Sequence, residues 1–239
     1  MTTITVERIR ANLAEVRARI AAAAASAGRS TEEVRLVAVT KYVDAATTRL
    51  VVEAACADLG ESRPQQLWDK AATLADCEIR WHMIGHLQRN KIRRTIPLVH
   101  LLHAGDSLRL LEELNGERAA TADTAPLSIL LEVNVSGDAA KHGFAPQEVP
   151  GLLDALSKLP RLEIRGLMAM AGLEDDLATA RRRFAEVREL RDSLRTAWVG
   201  RFQLDELSMG MSGDYEAAIA EGATLVRIGS ALFEGADGA

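Results

Sequence analysis

Apolar residues at Ile9, Leu13, Val16 and Ile20 recur at spacings of four, three and four, which places them on one face of a helix. Thr5 offers a hydroxyl N-cap, and Gly28 and Ser30 end the segment. The period then changes. Val34 to Thr40 is an apolar, β-branched run interrupted only by Arg35, and it predicts a buried strand. A helix over 44–57 follows, with Gly60 as its stop signal. Similar runs predict strands near 58–61, 79–84, 99–103, 127–135, 163–169, 205–209 and 224–228. Helical stretches at 64–74, 107–117, 146–159, 176–197 and 214–221 separate most of them. Alternating strands and helices imply a parallel sheet, and eight such units in 239 residues match a single (β/α)8 TIM barrel, an α/β fold, with an extra N-terminal helix. A doubly wound open sheet is the alternative, but no G-x-G-x-x-G follows the first strand. No Pro- or Gly-rich linker divides the chain, so residues 1–239 are read as one domain.

Composition narrows the function. A net charge of −5 gives the molecule no electrostatic reason to seek nucleic acid or an anionic membrane. The basic run 89–94 reads as a solvated face. Aromatic residues are only 4% and do not alternate with basic ones, which argues against single-strand binding. The two cysteines, Cys56 and Cys77, form neither a C-x-x-C pair nor a disulfide framework, which suits a reducing compartment. No apolar stretch reaches the length of a membrane span, and the N-terminus lacks the order of a secretory signal. A cytoplasmic protein is expected.

In a β/α barrel the chemistry sits at the C-terminal ends of the strands. Lys41 directly follows the first apolar run, and an amine placed there can form an imine with an aldehyde. Alone, a strand-end lysine is more commonly a solvent-facing charge. A second signal is the small-residue loop Ser208-Met209-Gly210-Met211-Ser212-Gly213-Asp214 ahead of a helix. A third is Val226-Arg227-Ile228-Gly229-Ser230. Barrels often bind phosphate with the loops after strands seven and eight, through free backbone amides. Ser212 and Asp214 also read as helix caps, and the charge of Asp214 opposes phosphate unless it turns to backbone amides nearby. Lysine and cradle together call for a phosphorylated aldehyde, either pyridoxal 5′-phosphate or a sugar-phosphate aldolase substrate.

Six segments together resemble the pyridoxal phosphate homeostasis protein family over nearly the whole chain. They are Leu36–Lys41, Trp81–Lys91, Val133-Asn134-Val135 with Lys141-His142-Gly143-Phe144, Arg165–Met170, Leu207–Ser212 and Val226–Phe233. The resemblance implies a single barrel like the N-terminal domain of alanine racemase, with pyridoxal 5′-phosphate (PLP) held on Lys41 as a Schiff base. It implies that Ser208, Met209, Ser212, Gly229 and Ser230 surround the phosphate and that Arg227 faces the pyridine nitrogen. It further implies vitamin B6 homeostasis, a carrier that releases or transfers PLP without catalytic residues of its own, with apo PLP enzymes as partners. The family motif Gly-Glu-Asn reads Gly60-Glu61-Ser62 here, so Ser62 brings a shorter hydroxyl where the family has an amide, and a water can bridge the difference. Ser230 stands where threonine is commoner and keeps the hydroxyl.

Other signals point elsewhere. His82 and His86 lie four apart, but in a strand and loop without the enclosed Glu of a zincin helix, and no metal site is expected. His100 and His103 read as structural, and Trp81 and Trp198 as packing residues. A PLP-dependent racemase would need acid/base groups on both faces of its substrate. The chain ends at Ala239, soon after the last strand, so the racemases' β-rich second domain is not expected, and the only tyrosines are Tyr42 and Tyr215. No large apolar patch is evident on the helix surfaces, and a monomer is expected.

Overall fold

A computed structural model describes residues 4–121, 123, 125–138, 142–172 and 175–235 of the chain. Lys141 of the third motif therefore lies outside the described residues. Helix α1 (Val6–Ser26) opens the chain, capped as predicted by Thr5, whose hydroxyl accepts from the Arg8 amide at 3.3 Å. Then come β1 (Arg35–Val39), α2 (Ala45–Glu53), β2 (Asp58–Glu61), α3 (Pro64–Thr73), β3 (Arg80–Met83), α4 (Ile92–Thr95), β4 (Val99–Gly105) and α5 (Leu108–Ala119). The second half adds β5 (Leu127–Val133), α6 (Leu153–Leu156), β6 (Leu162–Ala169), α7 (Leu177–Ala197), β7 (Glu206–Ser208), α8 (Tyr215–Ala220) and β8 (Leu225–Ile228). Every strand is parallel to its neighbours, and β1 pairs with β8, which closes the barrel.

Two elements differ from the sequence reading. The helix expected over 146–159 is reduced to a 3-10 turn, Val149–Leu152, and the single turn of α6. Pro150 lacks the amide a longer helix would use there. The short α4, not foreseen, packs against α3 and α5. The weakest strand expectations, β2 and β7, are both present, four and three residues long.

The core has two compartments. A large apolar layer lies between sheet and helices, and a small cluster of Val37, Leu101, Ala104, Leu130, Met168 and Leu225 lies inside the barrel. Close strand approach depends on Gly166: a Cβ there would lie 1.8 Å from the carbonyl oxygen of Glu206 on β7. Helix α1 closes the fold from outside, where buried Asn12 donates from Nδ2 to the Leu232 and Glu234 carbonyls at 3.0 and 3.1 Å.

Candidate functional site

Register places the candidate residues. Val39 pairs with Gly60, and Ala38 with Ile228, so the C-terminal ends of β2, β1 and β8 stand side by side. Lys41, half-buried, follows β1, with Ser62 on one side and Gly229 and the exposed Ser230 on the other. The Lys41 Nζ lies 4.8 Å from the ring centroid of Tyr42, a side chain 83% exposed. The Lys41 peptide rests on a buried pair. Lys70 Nζ donates to the Thr40 carbonyl at 2.6 Å and to Glu61 Oε1 at 2.5 Å, and the Thr40 hydroxyl donates to the same oxygen at 2.7 Å. Glu61 is fully buried, and its Oε2 has no hydrogen-bond partner among the described residues.

The two phosphate-type loops meet. The Gly229 amide donates to the Ser212 hydroxyl at 3.3 Å. Gly210 makes the turn possible with φ of +93°, where a Cβ would approach that of Ala218 to 2.7 Å. Asp214 does not cap α8: its Oδ1 accepts from the Met211 amide at 2.6 Å, inside its own loop. Its charge is thus turned to backbone, and burial raises its pKa against that hydrogen bond. The α8 helix has only six residues, so loop amides matter more than a helix dipole.

Two expectations change. Ser208 is fully buried, and its hydroxyl is engaged by Arg227 and His103 rather than facing the Ser212–Gly229 loops. Met209 sends its side chain into the outer core, and its amide is spent on the Leu225 carbonyl at 3.1 Å. A seven-residue loop of small side chains does not reveal which positions still belong to the strand. Arg227 points into the barrel, 4% exposed, and donates to the Ser208 carbonyl at 2.8 Å, the Ser208 hydroxyl at 2.5 Å and the Ala169 carbonyl at 3.0 Å. Burial lowers its pKa to about 10, opposed by the charges of Asp214 and Glu132.

Glu132 was not singled out in the sequence. It ends the inward face of β5 and, with Ile84, His86, Asn134, Met170 and Met211, lines a mouth cavity of about 370 Å³, within the range of small-molecule pockets. Burial first, and Asp106 second, push its pKa up to about 7. A charged residue inside the apolar stretch Ile129-Leu130-Leu131-Glu132-Val133 was the available signal.

At the cavity rim, His86 Nδ1 lies 2.5 Å from Asp106 Oδ2, and His142 brings a third candidate ligand, all within 4.8 Å of one another. The two imidazoles are stacked, 4.2 Å apart and 9° from parallel. A metal binds an imidazole nitrogen in the ring plane, so two stacked rings cannot share one ion without one of them turning. His82 and His103 lie fully buried inside the barrel.

The donor set fits PLP. A primary amine stands at the mouth for an aldehyde, and exposed Gly213 has open space around it beside the joined loops. A cationic guanidinium is held among the inner strands. Among the described residues no helix is long and apolar enough to cross a membrane.

Comparison with known proteins agrees with this geometry. The family model described as "Alanine racemase, N-terminal domain" matches residues 4–237. A pyridoxal phosphate homeostasis protein of Pseudomonas aeruginosa is 44% identical over 226 residues, 95% of each chain. The structure of PipY from Synechococcus elongatus with PLP bound superposes with a TM-score of 0.82 at 32% identity, over 94% of this chain and 99% of that one. An alanine racemase of Clostridium difficile 630 shares the fold alone: TM-score 0.74, 16% identity, 96% of this chain and 60% of that one.

Proposed function

The chain belongs to the pyridoxal phosphate homeostasis protein family, on the alanine racemase N-terminal domain fold, and from that premise we propose that it holds PLP on Lys41 for intracellular vitamin B6 homeostasis. The carrying observation is the convergence at one barrel mouth of Lys41, the hydrogen-bonded Ser212–Gly229 loops and the inward Arg227. Lys41 supplies the amine that captures the aldehyde. Ser212, Ser230 and the amides of 212–213 and 230 receive the phosphate, and Ser62 lies at the edge of the site. Ser208 serves by holding Arg227, and Met209 by filling the core behind the loop.

Bound PLP supplies an aldehyde and a potential electron sink. Arg227 limits the second: a guanidinium near the ring nitrogen disfavours its protonation, and an unprotonated ring is a poor sink for carbanion chemistry. Tyr215 is buried beneath Arg19 of α1 and Tyr42 is exposed, so neither is set opposite Lys41 as a second acid/base group. We read the protein as a cytoplasmic monomer that keeps PLP and hands it to apo PLP enzymes without robust catalysis. Loaded protein mixed with an apo PLP enzyme is expected to restore that enzyme's activity, while D- and L-alanine given to the loaded protein alone are not interconverted above background. Interconversion at enzyme-like rates would make it a racemase instead.

A further inference from the structure

Arg227 poses a question the mouth does not answer. Among the described residues no carboxylate pairs with it within 4.0 Å, although it is buried in the barrel. Asp214 and Glu132 act on it only at longer range. Two of its three acceptors are carbonyls, and the third is the Ser208 hydroxyl. That hydroxyl continues into the barrel interior. Ser208 Oγ lies 2.8 Å from His103 Nδ1, His103 Nε2 lies 2.9 Å from His82 Nδ1, and His82 Nε2 lies 3.0 Å from Asp58 Oδ1. Arg80 closes the line, donating from Nε to Asp58 Oδ1 at 2.7 Å and from Nη2 to Oδ2 at 2.5 Å. Ser208, His103 and His82 are all fully buried.

Donor and acceptor counts fix the direction of these bonds. Ser208 Oγ already accepts from Arg227, so its own proton needs an acceptor, and His103 Nδ1 is the one within reach. His103 must then carry its proton on Nε2 and donate to His82 Nδ1. His82 in turn carries its proton on Nε2 and donates to Asp58. Every donor points the same way, from the mouth to a carboxylate at the opposite end of the barrel. Two neutral imidazoles satisfy all the partners. Burial, and then His82, hold the His103 pKa well below its ordinary value, in keeping with a neutral ring. Burial alone would raise the Asp58 pKa, but its bonds from Arg80 and His82 outweigh it and hold the carboxyl well below the usual range.

We infer that His82 and His103 are positioning residues for Arg227: through Ser208 they form a one-way hydrogen-bond chain that ties the guanidinium at the mouth to Asp58 on the barrel floor. Bonds in such a chain polarise one another, so Ser208 becomes a stronger acceptor than an isolated hydroxyl. The guanidinium plane is fixed before any ligand arrives. This rests on Arg227 facing the cofactor only for its consequence, not for the chain itself.

The test therefore has two arms. Long-range ¹⁵N–¹H NMR of the full chain without PLP should find both His82 and His103 with the proton on Nε2 and the lone pair on Nδ1 at neutral pH. A proton on His103 Nδ1, or a doubly protonated His82 at neutral pH, would reverse the chain and overturn the inference. In the second arm, His103→Leu, which removes the acceptor, is expected to weaken PLP binding about tenfold, while His103→Gln, which can accept and donate along the same line, restores most of it. Should His103→Leu not fold, Ser208→Ala breaks the same link with one atom and should weaken PLP binding severalfold. Wild-type affinity in whichever of these two variants folds would remove the positioning role. No PLP binding by the wild type, with the tautomers as stated, would instead count against the cofactor reading and leave the chain standing.

Discussion

Lys70→Met is expected to destabilise the protein by about 3–5 kcal/mol, the range for breaking a buried ion pair from one side. Glu61 is fully buried, one of its oxygens has no partner among the described residues, and Lys70 is the cation that compensates the other. Methionine fills the same volume but leaves the carboxylate without its counter-charge. Replacing both partners, Lys70→Met with Glu61→Gln, should recover most of the loss, because a neutral amide is far cheaper to bury than a lone charge. The pair also fixes the site, since Lys70 grips the carbonyl of the peptide that carries Lys41. Urea unfolding of the two variants measures this. A single-variant cost under about 1 kcal/mol, with no recovery in the double, would show that the pair contributes little.

Glu132→Gln is expected to stabilise the protein at alkaline pH and to change little at acid pH. The folded pKa of Glu132 is raised from 4.5 to about 7. A raised pKa means that the folded chain keeps a proton the unfolded chain gives up. The favourable contribution is complete below about pH 4.5 and disappears as pH rises through 7. The penalty at pH 8 is about 3 kcal/mol by the free energy of a pKa unit. Glutamine carries no such penalty, so a gain of roughly 1–3 kcal/mol at pH 8 and near zero at about pH 4 is expected. His103 has the opposite dependence: its depressed folded pKa makes stability full above its ordinary value and lost as pH falls below it. Comparing Glu132→Gln with the parent at each pH cancels the His103 contribution. Equal urea midpoints for the two proteins at both pH values would contradict the burial argument.

The barrel was legible because strand and helix periods alternate cleanly along the chain, and the place of Lys41 after β1 because it directly follows the first apolar run. The Ser212–Gly229 contact was legible as two loops of small residues at the expected strand ends. What was not legible depends on direction across the barrel. In a three-residue strand such as β7, period alone cannot say that Ser208 faces inward and Met209 outward. His103 reads as structural because a sequence does not show that its Nε2 meets His82 Nδ1 across β3 and β4. The Glu61–Lys70 pair joins the end of a strand to the inner face of a helix nine residues on, a spacing with no motif behind it. Pro150 marks the short α6, where a helical apolar pattern overrode a visible helix breaker.

The central claim is that Lys41 is the residue that carries the cofactor. Adding PLP to the full chain should give the visible absorption of a lysine-bound cofactor, and borohydride should bleach it while fixing PLP covalently to the peptide that contains Lys41. Lys41→Ala should show neither band nor adduct while keeping the parent's unfolding profile. A band that survives in Lys41→Ala, or an adduct found on another lysine such as Lys70, would contradict the account.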